Sequence, residues 1–200
     1  MLHFMSRRHF IGGLIALPLA ATAIPAFALN TETARRLVDA LVGDINAVIA
    51  SGKTGTPMFR EFERIFLKFA DVPTIARTTL GPVARTASGA QMQAFTKAFA
   101  GYVGRKYGSR FQEFIGGQIE VQSARPVKSF YEVKSKALLR GQSPVDLVFL
   151  ISDRSGKDKF FDMLIEGVSL LKSERTEIGA MLDRRRGNID QMTADLARAG

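Results

Sequence analysis

The chain has 200 residues, 46% hydrophobic and 24% charged, a globular composition able to bury one sizeable core and unlike that of a disordered tail or an integral membrane protein. The absence of cysteine excludes a disulfide framework, a thiolate nucleophile and the usual zinc clusters. The formal net charge of +9 suits anionic lipid head groups, acidic proteins or nucleic acid and does not choose among them.

In chain order, the first element is a leader. Arg7 and Arg8 precede an apolar run from Phe10 to about Ala23, and Ala26-Phe27-Ala28 supplies a small-x-small cleavage signature. Gly12, Gly13 and Pro18 interrupt the run, which is too short for a comfortable membrane-spanning helix of about 20 residues. Residues 1–28 therefore read as a signal peptide cut after Ala28, and the Ser6-Arg7-Arg8-His9-Phe10 context resembles a twin-arginine signal, with an ordinary general-pathway signal as the alternative. Either route takes the mature chain, residues 29–200, out of the cytoplasm. That disfavours nucleic acid as a partner and favours lipid or protein.

The spacing of Leu37, Leu41, Ile45, Val48 and Ile49 predicts an amphipathic helix over 31–49, broken by the polar stretch Ser51 to Pro57. Phe59, Phe62, Ile65, Phe66 and Phe69 predict a second helix. A short helix through Ile75 and Leu80 stops at Gly81-Pro82, and Ser88 then caps a long helix to Tyr107 carrying Met92, Phe95, Phe99, Tyr102 and Val103. After Gly116-Gly117 the period changes to alternation, with strands near 117–125, 129–140, 144–153 and 157–166. Their short connections predict an antiparallel meander, since parallel strands need long crossovers. Helices over 170–186 and 189–199, split by Gly187-Asn188, close the chain.

The expected fold class is α+β: a single domain over 29–200, with a curved antiparallel sheet of about four strands and several helices packed on one face, enclosing an apolar cavity. In the second strand Tyr131, Val133, Ala137 and Leu139 share a face opposite Glu132, Lys134 and Lys136, so one side meets water. The third strand alternates Val145, Leu147, Phe149 and Ile151 with Asp146, Val148, Leu150 and Ser152, leaving both faces largely apolar. The fourth sets Phe161, Met163 and Ile165 against Phe160, Asp162, Leu164 and Glu166. The 15 phenylalanines, with no tryptophan, give the helices greasy rings without a polar handle. Such rings can form a filled core or line a cavity, and a helical stripe alone does not distinguish the two.

Asp162-Met163-Leu164-Ile165-Glu166-Gly167-Val168-Ser169-Leu170 resembles the strand-to-helix junction of the MlaC family, also called the toluene-tolerance family, whose last strand ends in Asp-x-x-x-Glu-Gly-Val-Ser. Gly167 suits a turn with positive φ and Ser169 can cap the following helix. Phe66-Leu67-Lys68-Phe69-Ala70-Asp71 with Ile75-Ala76-Arg77 and Leu80-Gly81 is similar to the family's early helix pair, and Gln91, Phe95, Phe99 and Tyr107 to its long helix. Pro82-Val83-Ala84 departs from it, standing where the family often has an aromatic residue. The resemblance spans nearly all of residues 31–198 and implies a periplasmic phospholipid carrier. Its cargo would lie with acyl chains between sheet and helices. Its partners would be an outer-membrane lipoprotein complex and an inner-membrane ABC transporter whose ring subunit carries an MCE domain. A hopanoid-type lipid is an alternative cargo. The lipid-contacting residues expected on this reading are Phe95, Phe99, Tyr102, Val103, Val133, Ala137, Phe149, Ile151, Met163, Ile165 and Val168.

An enzyme is disfavoured. Both histidines, His3 and His9, lie in the leader, so the mature chain has no imidazole base and no His metal site. Asp162 and Glu166, four residues apart on a strand, would stand about 13 Å apart, too far for a carboxylate pair and better suited to structural roles. No catalytic residue, metal or cofactor is expected. The other readings are a periplasmic adaptor with a filled interior, for which Arg184-Arg185-Arg186 is a candidate docking surface, and an exported hydrolase limited to Ser and carboxylates.

Overall fold

The computed structural model describes residues 29–110 and 117–200, and the expected leader lies outside that range. Asn30 opens helix α1 (Thr31–Ala50): its side chain accepts the Thr33 amide while the Thr33 hydroxyl accepts the Asn30 amide. This capping box satisfies two donors that a helix start leaves bare. Helix α2 (Gly55–Phe69) buries Met58, Phe62, Ile65 and Phe69 along one side. Asp71 caps helix α3 (Val72–Leu80), a 3₁₀ turn follows over Gly81–Arg85, and helix α4 (Gly89–Arg110) starts with Ser88 and Gln91 capping each other.

The strands are β1 (Gln118–Val127), β2 (Phe130–Leu138), β3 (Val145–Ser152), β4 (Lys159–Ile165) and the two-residue β5 (Val168–Ser169). They pair in sequence order, each antiparallel to the next, so the expected meander forms with one short strand beyond the four anticipated. Helices α5 (Leu170–Arg184) and α6 (Ile189–Leu196) complete an α+β fold. Among the described residues no helix is long and apolar enough to cross a membrane.

The open edge at β1 is covered by α1. Asn46 behaves like a missing strand residue: its side-chain amide donates to the Ile119 carbonyl at 3.1 Å and its oxygen accepts the Ile119 amide at 3.0 Å. Arg35 adds a bond to the Gln122 carbonyl at 3.2 Å. Edge groups that would otherwise recruit another chain are thereby occupied.

Packing is in three layers with two apolar clusters. The first joins the inner face of β1, β2 and β3 to α1 and the buried side of α2, centred on Val38, Ile45, Phe62, Val133 and Phe149. The second joins α3, α4, α5 and α6 around Ala76, Phe95, Phe99, Ile178 and Met192. Helix α4 therefore does not lie on the sheet, where its ring stripe was expected to lie; α2 stands between them, and α4 packs on α2, α3 and α6. The expected alternation of β4 is corrected as well. A β-bulge lets Ile151 pair with Phe160 while Leu150 pairs with Asp162, so Phe161 is the extra residue. Phe160 consequently shares the inner face with Met163 and Ile165, and Phe161 meets the Phe130 ring edge-on at 5.7 Å.

Candidate functional site

Six of the residues expected to touch lipid form the inner wall of the sheet. Val133, Phe149 and Met163 lie in one cross-strand row, Leu147 and Ile165 in the next, and Ala137 pairs with Val145. Ile151 pairs with both Tyr131 and Phe160, completing the wall at the other end. The inward side chains meet α1 and α2, which turn Leu41, Ile45, Phe62 and Phe69 toward them. A void able to hold a water would leave accessible area on its lining, yet Val133, Ala137 and Ile151 are 0% exposed. The wall is close-packed at these three residues, whereas Tyr131, Val145, Met163 and Ile165 in it are partly exposed.

The four residues from α4, Phe95, Phe99, Tyr102 and Val103, belong instead to the helical cluster. Two rings that were not among the expected contacts bridge the groups. Phe66 of α2 lies 6.2 Å from Phe99 on one side and 6.2 Å from Phe160 on the other, and Phe160 lies 6.0 Å from Phe149. An aromatic seam thus runs from the sheet through Phe160 and Phe66 to Phe99, Phe95 and Tyr102. Phe66 was legible as part of the α2 stripe, whereas Phe160 was hidden because only the bulge turns it inward. Val168 is not brought to either group; it is 59% exposed at the β4–β5 hairpin.

That hairpin explains the junction motif. Glu166 and Gly167 both have positive φ, at 49° and 78°, the sign a two-residue type I′ turn requires, and Ile165 pairs with Val168 across it. Glu166 is held there by β3: its amide donates to the Asp146 carbonyl at 2.9 Å and its carboxylate accepts the Asp146 amide. Asp162, buried on the other face of β4, accepts the Leu171 amide at 3.0 Å and the Ser169 hydroxyl at 2.6 Å, while Ser169 caps α5 by accepting the Lys172 amide. Both carboxylates are thus committed to backbone structure.

A second polar cluster clasps α4 to α5. Lys106 donates to Glu174 at 2.7 Å, to the Tyr102 hydroxyl at 2.8 Å and to Glu177, and Tyr107 donates to Glu174. Burial, reinforced by the carboxylates of Glu174 and Glu177, pushes the Tyr102 and Tyr107 hydroxyls well above the ordinary phenol range. Burial works to raise Glu177, but hydrogen bonds from Lys106 and Tyr102 outweigh it and hold that carboxyl below its usual value. Lys106 is thus paired with both carboxylates, and the two phenols stay protonated beside them. Among the described residues no group of three or more His, Cys, Asp or Glu is placed to hold a metal.

Among the described residues, hollows open on the surface. One of about 470 Å³ lies between α2, α3 and α4 and is lined by Leu67, Pro73, Arg77, Met92, Thr96 and Ala100, among others. The other, about 190 Å³, lies beside Asp71, Phe130, Arg154 and Phe161. None of the residues expected to contact lipid lines either hollow. The apolar wall behind the sheet and the aromatic seam remain the candidate site.

Residues 35–198 match the family model described as MlaC protein. The chain belongs to the MlaC family. The solved structures include a relative in fold from Ralstonia solanacearum, a phospholipid-binding protein determined in complex with a phospholipid. It is 20% identical, with a TM-score of 0.68 over 82% of this chain and 98% of that one. In this MlaC chain the matched span takes in nearly all of both apolar clusters, the seam and the Asp162–Ser169 junction.

Proposed function

We propose that the protein is an exported carrier that binds a glycerophospholipid by its acyl chains and shuttles it between the inner and outer membranes, without catalysing a reaction. The membership of residues 35–198 in the MlaC family carries this reading, and the phospholipid in the Ralstonia relative supports it. Residues 1–28 would direct export through the twin-arginine pathway and be removed after Ala28, leaving Asn30 to cap α1. An ABC transporter complex with an MCE-domain subunit at the inner membrane and a lipoprotein complex at the outer membrane would be the partners.

The physical basis is the inner wall of the sheet. Each methylene buried against it contributes about 0.8 kcal/mol, enough over a whole chain to offset extraction from a bilayer. The wall is filled around Val133, Ala137 and Ile151, so cargo that reaches them must displace packed side chains. The aromatic seam is the parting line on this reading, because Phe66 and Phe160 lie where the sheet-side and helical clusters meet. Phe95, Phe99, Tyr102 and Val103 would then face the sheet-side residues across the opened seam, and Val168 would stand at its outer rim.

The close packing of Val133, Ala137 and Ile151 gives weight to one other reading, a periplasmic adaptor that carries no lipid. The two part on a direct measurement. Mature protein purified from a bacterial periplasm is extracted with organic solvent and the extract analysed by mass spectrometry. Glycerophospholipid near one molecule per chain is expected. Protein that copurifies with none, and that takes none up from phospholipid vesicles, would be the adaptor.

A further inference from the structure

Ser135 is a buried polar side chain on the inner face of β2, 2% exposed, and its hydroxyl has no hydrogen-bond partner, whereas the Tyr131 hydroxyl on the same face donates to the Leu29 carbonyl at 3.1 Å. Its strand neighbours on that face are Val133 and Ala137, and its cross-strand partners are Val121 on β1 and Leu147 on β3. An orphaned buried hydroxyl costs about 1–3 kcal/mol, so alanine would serve this position better if packing were all that mattered. A trapped water needs two to four polar partners, and the four flanking side chains are apolar. The strand beside it is also irregular: β1 changes register between Val121 and Ser123, directly opposite Ser135, and such bulges gather next to functional sites.

Resting on the carrier reading, we propose that the Ser135 hydroxyl donates a hydrogen bond to a carbonyl ester oxygen of the bound glycerolipid and so selects ester-linked over ether-linked lipids. The chemistry of the cargo leads to this assignment. Methylenes offer no acceptor, and the phosphate and head group are strongly hydrated and costly to bring to so apolar a wall. The ester carbonyls are the acceptors that enter with the chains. The hydroxyl is unsatisfied in the lipid-free protein and satisfied in the loaded one, a difference that favours loading.

The test uses vesicles of diester phosphatidylglycerol and of its diether analogue with equal chain length, with uptake by wild type and Ser135→Ala measured by mass spectrometry. Wild type should prefer the diester about fivefold, the effect of one neutral hydrogen bond, and Ser135→Ala should take up both lipids equally. Lipid-free Ser135→Ala should melt no lower than wild type, because it loses an unsatisfied group and no hydrogen bond. Equal uptake of the two lipids by wild type overturns the assignment and leaves the carrier reading intact. A variant that melts lower while keeping the preference also overturns it, and points to a structural hydroxyl. Uptake of neither lipid by wild type overturns the carrier reading, and this assignment with it.

Discussion

Asp162 divides its carboxylate between two elements: one oxygen accepts the Met163 and Leu171 amides, and the other accepts the Ser169 hydroxyl. Hydrogen bonds to a charged acceptor contribute about 1.5–3 kcal/mol, and a helix cap about 1 kcal/mol. Asp162→Ala should therefore lower stability by about 2–3 kcal/mol and Ser169→Ala by about 1 kcal/mol. Because the two side chains are bonded to each other, the double variant should lose less than the sum. Urea unfolding of the four proteins checks this, and strict additivity would show that Asp162 and Ser169 act independently. The turn at Gly167 and the cap at Ser169 were legible in the sequence because each acts on its immediate neighbours. The role of Asp162 was not, since Ser169 and Leu171 come within reach only after the β4–β5 hairpin has closed.

Among elements, the α2–α4 contact depends on missing side chains. A Cβ at Gly104 would lie 2.8 Å from the Glu63 Cβ and 2.9 Å from the Phe59 carbonyl, whereas one at Gly43 of α1 would meet nothing within 4 Å. Gly104→Ala should destabilise by about 1–3 kcal/mol through overpacking. Gly43→Ala should stabilise by up to about 1 kcal/mol through helix propensity alone. The same substitution in two helices is thus expected to move the urea midpoint in opposite directions, and a shift of the same sign in both would contradict the packing described. The sequence reported the α4 ring stripe faithfully as a buried face. It could not report the facing surface, because helical periodicity records that a side is covered and carries no information about what covers it. The β4 alternation failed for a related reason: the bulge at Phe161 is set by pairing with β3 across a turn, so Phe160 faces inward although strict alternation places it outward. Asn46 is a third case, an ordinary polar position on α1 until the edge of β1 lies beside it.

At the scale of the whole molecule, the proposed carrier role requires the packed interior to part somewhere, and polar ties indicate which helices would stay together. The Lys106 clasp lies inside the helical cluster, joining α4 to α5, whereas at the seam the Phe66 and Phe160 rings are accompanied by the Asp71 amide donating to the Phe160 carbonyl at 2.8 Å, and Asp162 of β4 accepts the Leu171 amide of α5 at 3.0 Å. The clasp should therefore govern the integrity of the helical cluster, and its titration gives a way to measure it. Tyr102 and Tyr107 have hydroxyls raised above the ordinary phenol value by burial and by the Glu174 and Glu177 carboxylates, with Lys106 and Arg110 as the cations nearby. A group whose folded value is raised adds stability that is fully present below its unfolded value, near pH 10, and that is lost as the pH climbs beyond it. The unfolded chain releases those phenolic protons first, so each tyrosine should remove about 1.4 kcal/mol of stability per pH unit above that point. The urea midpoint is expected to stay level from pH 8 to pH 9.5 as far as these groups are concerned, and then to fall steeply toward pH 11. Replacing both tyrosines with phenylalanine should flatten the alkaline fall while lowering stability at neutral pH, where Lys106 and Glu174 would lose hydroxyl partners. A wild-type midpoint that falls no faster than that of the double variant above pH 10 would mean that the phenols ionise freely in the folded protein, and that the clasp does not hold α4 and α5 together.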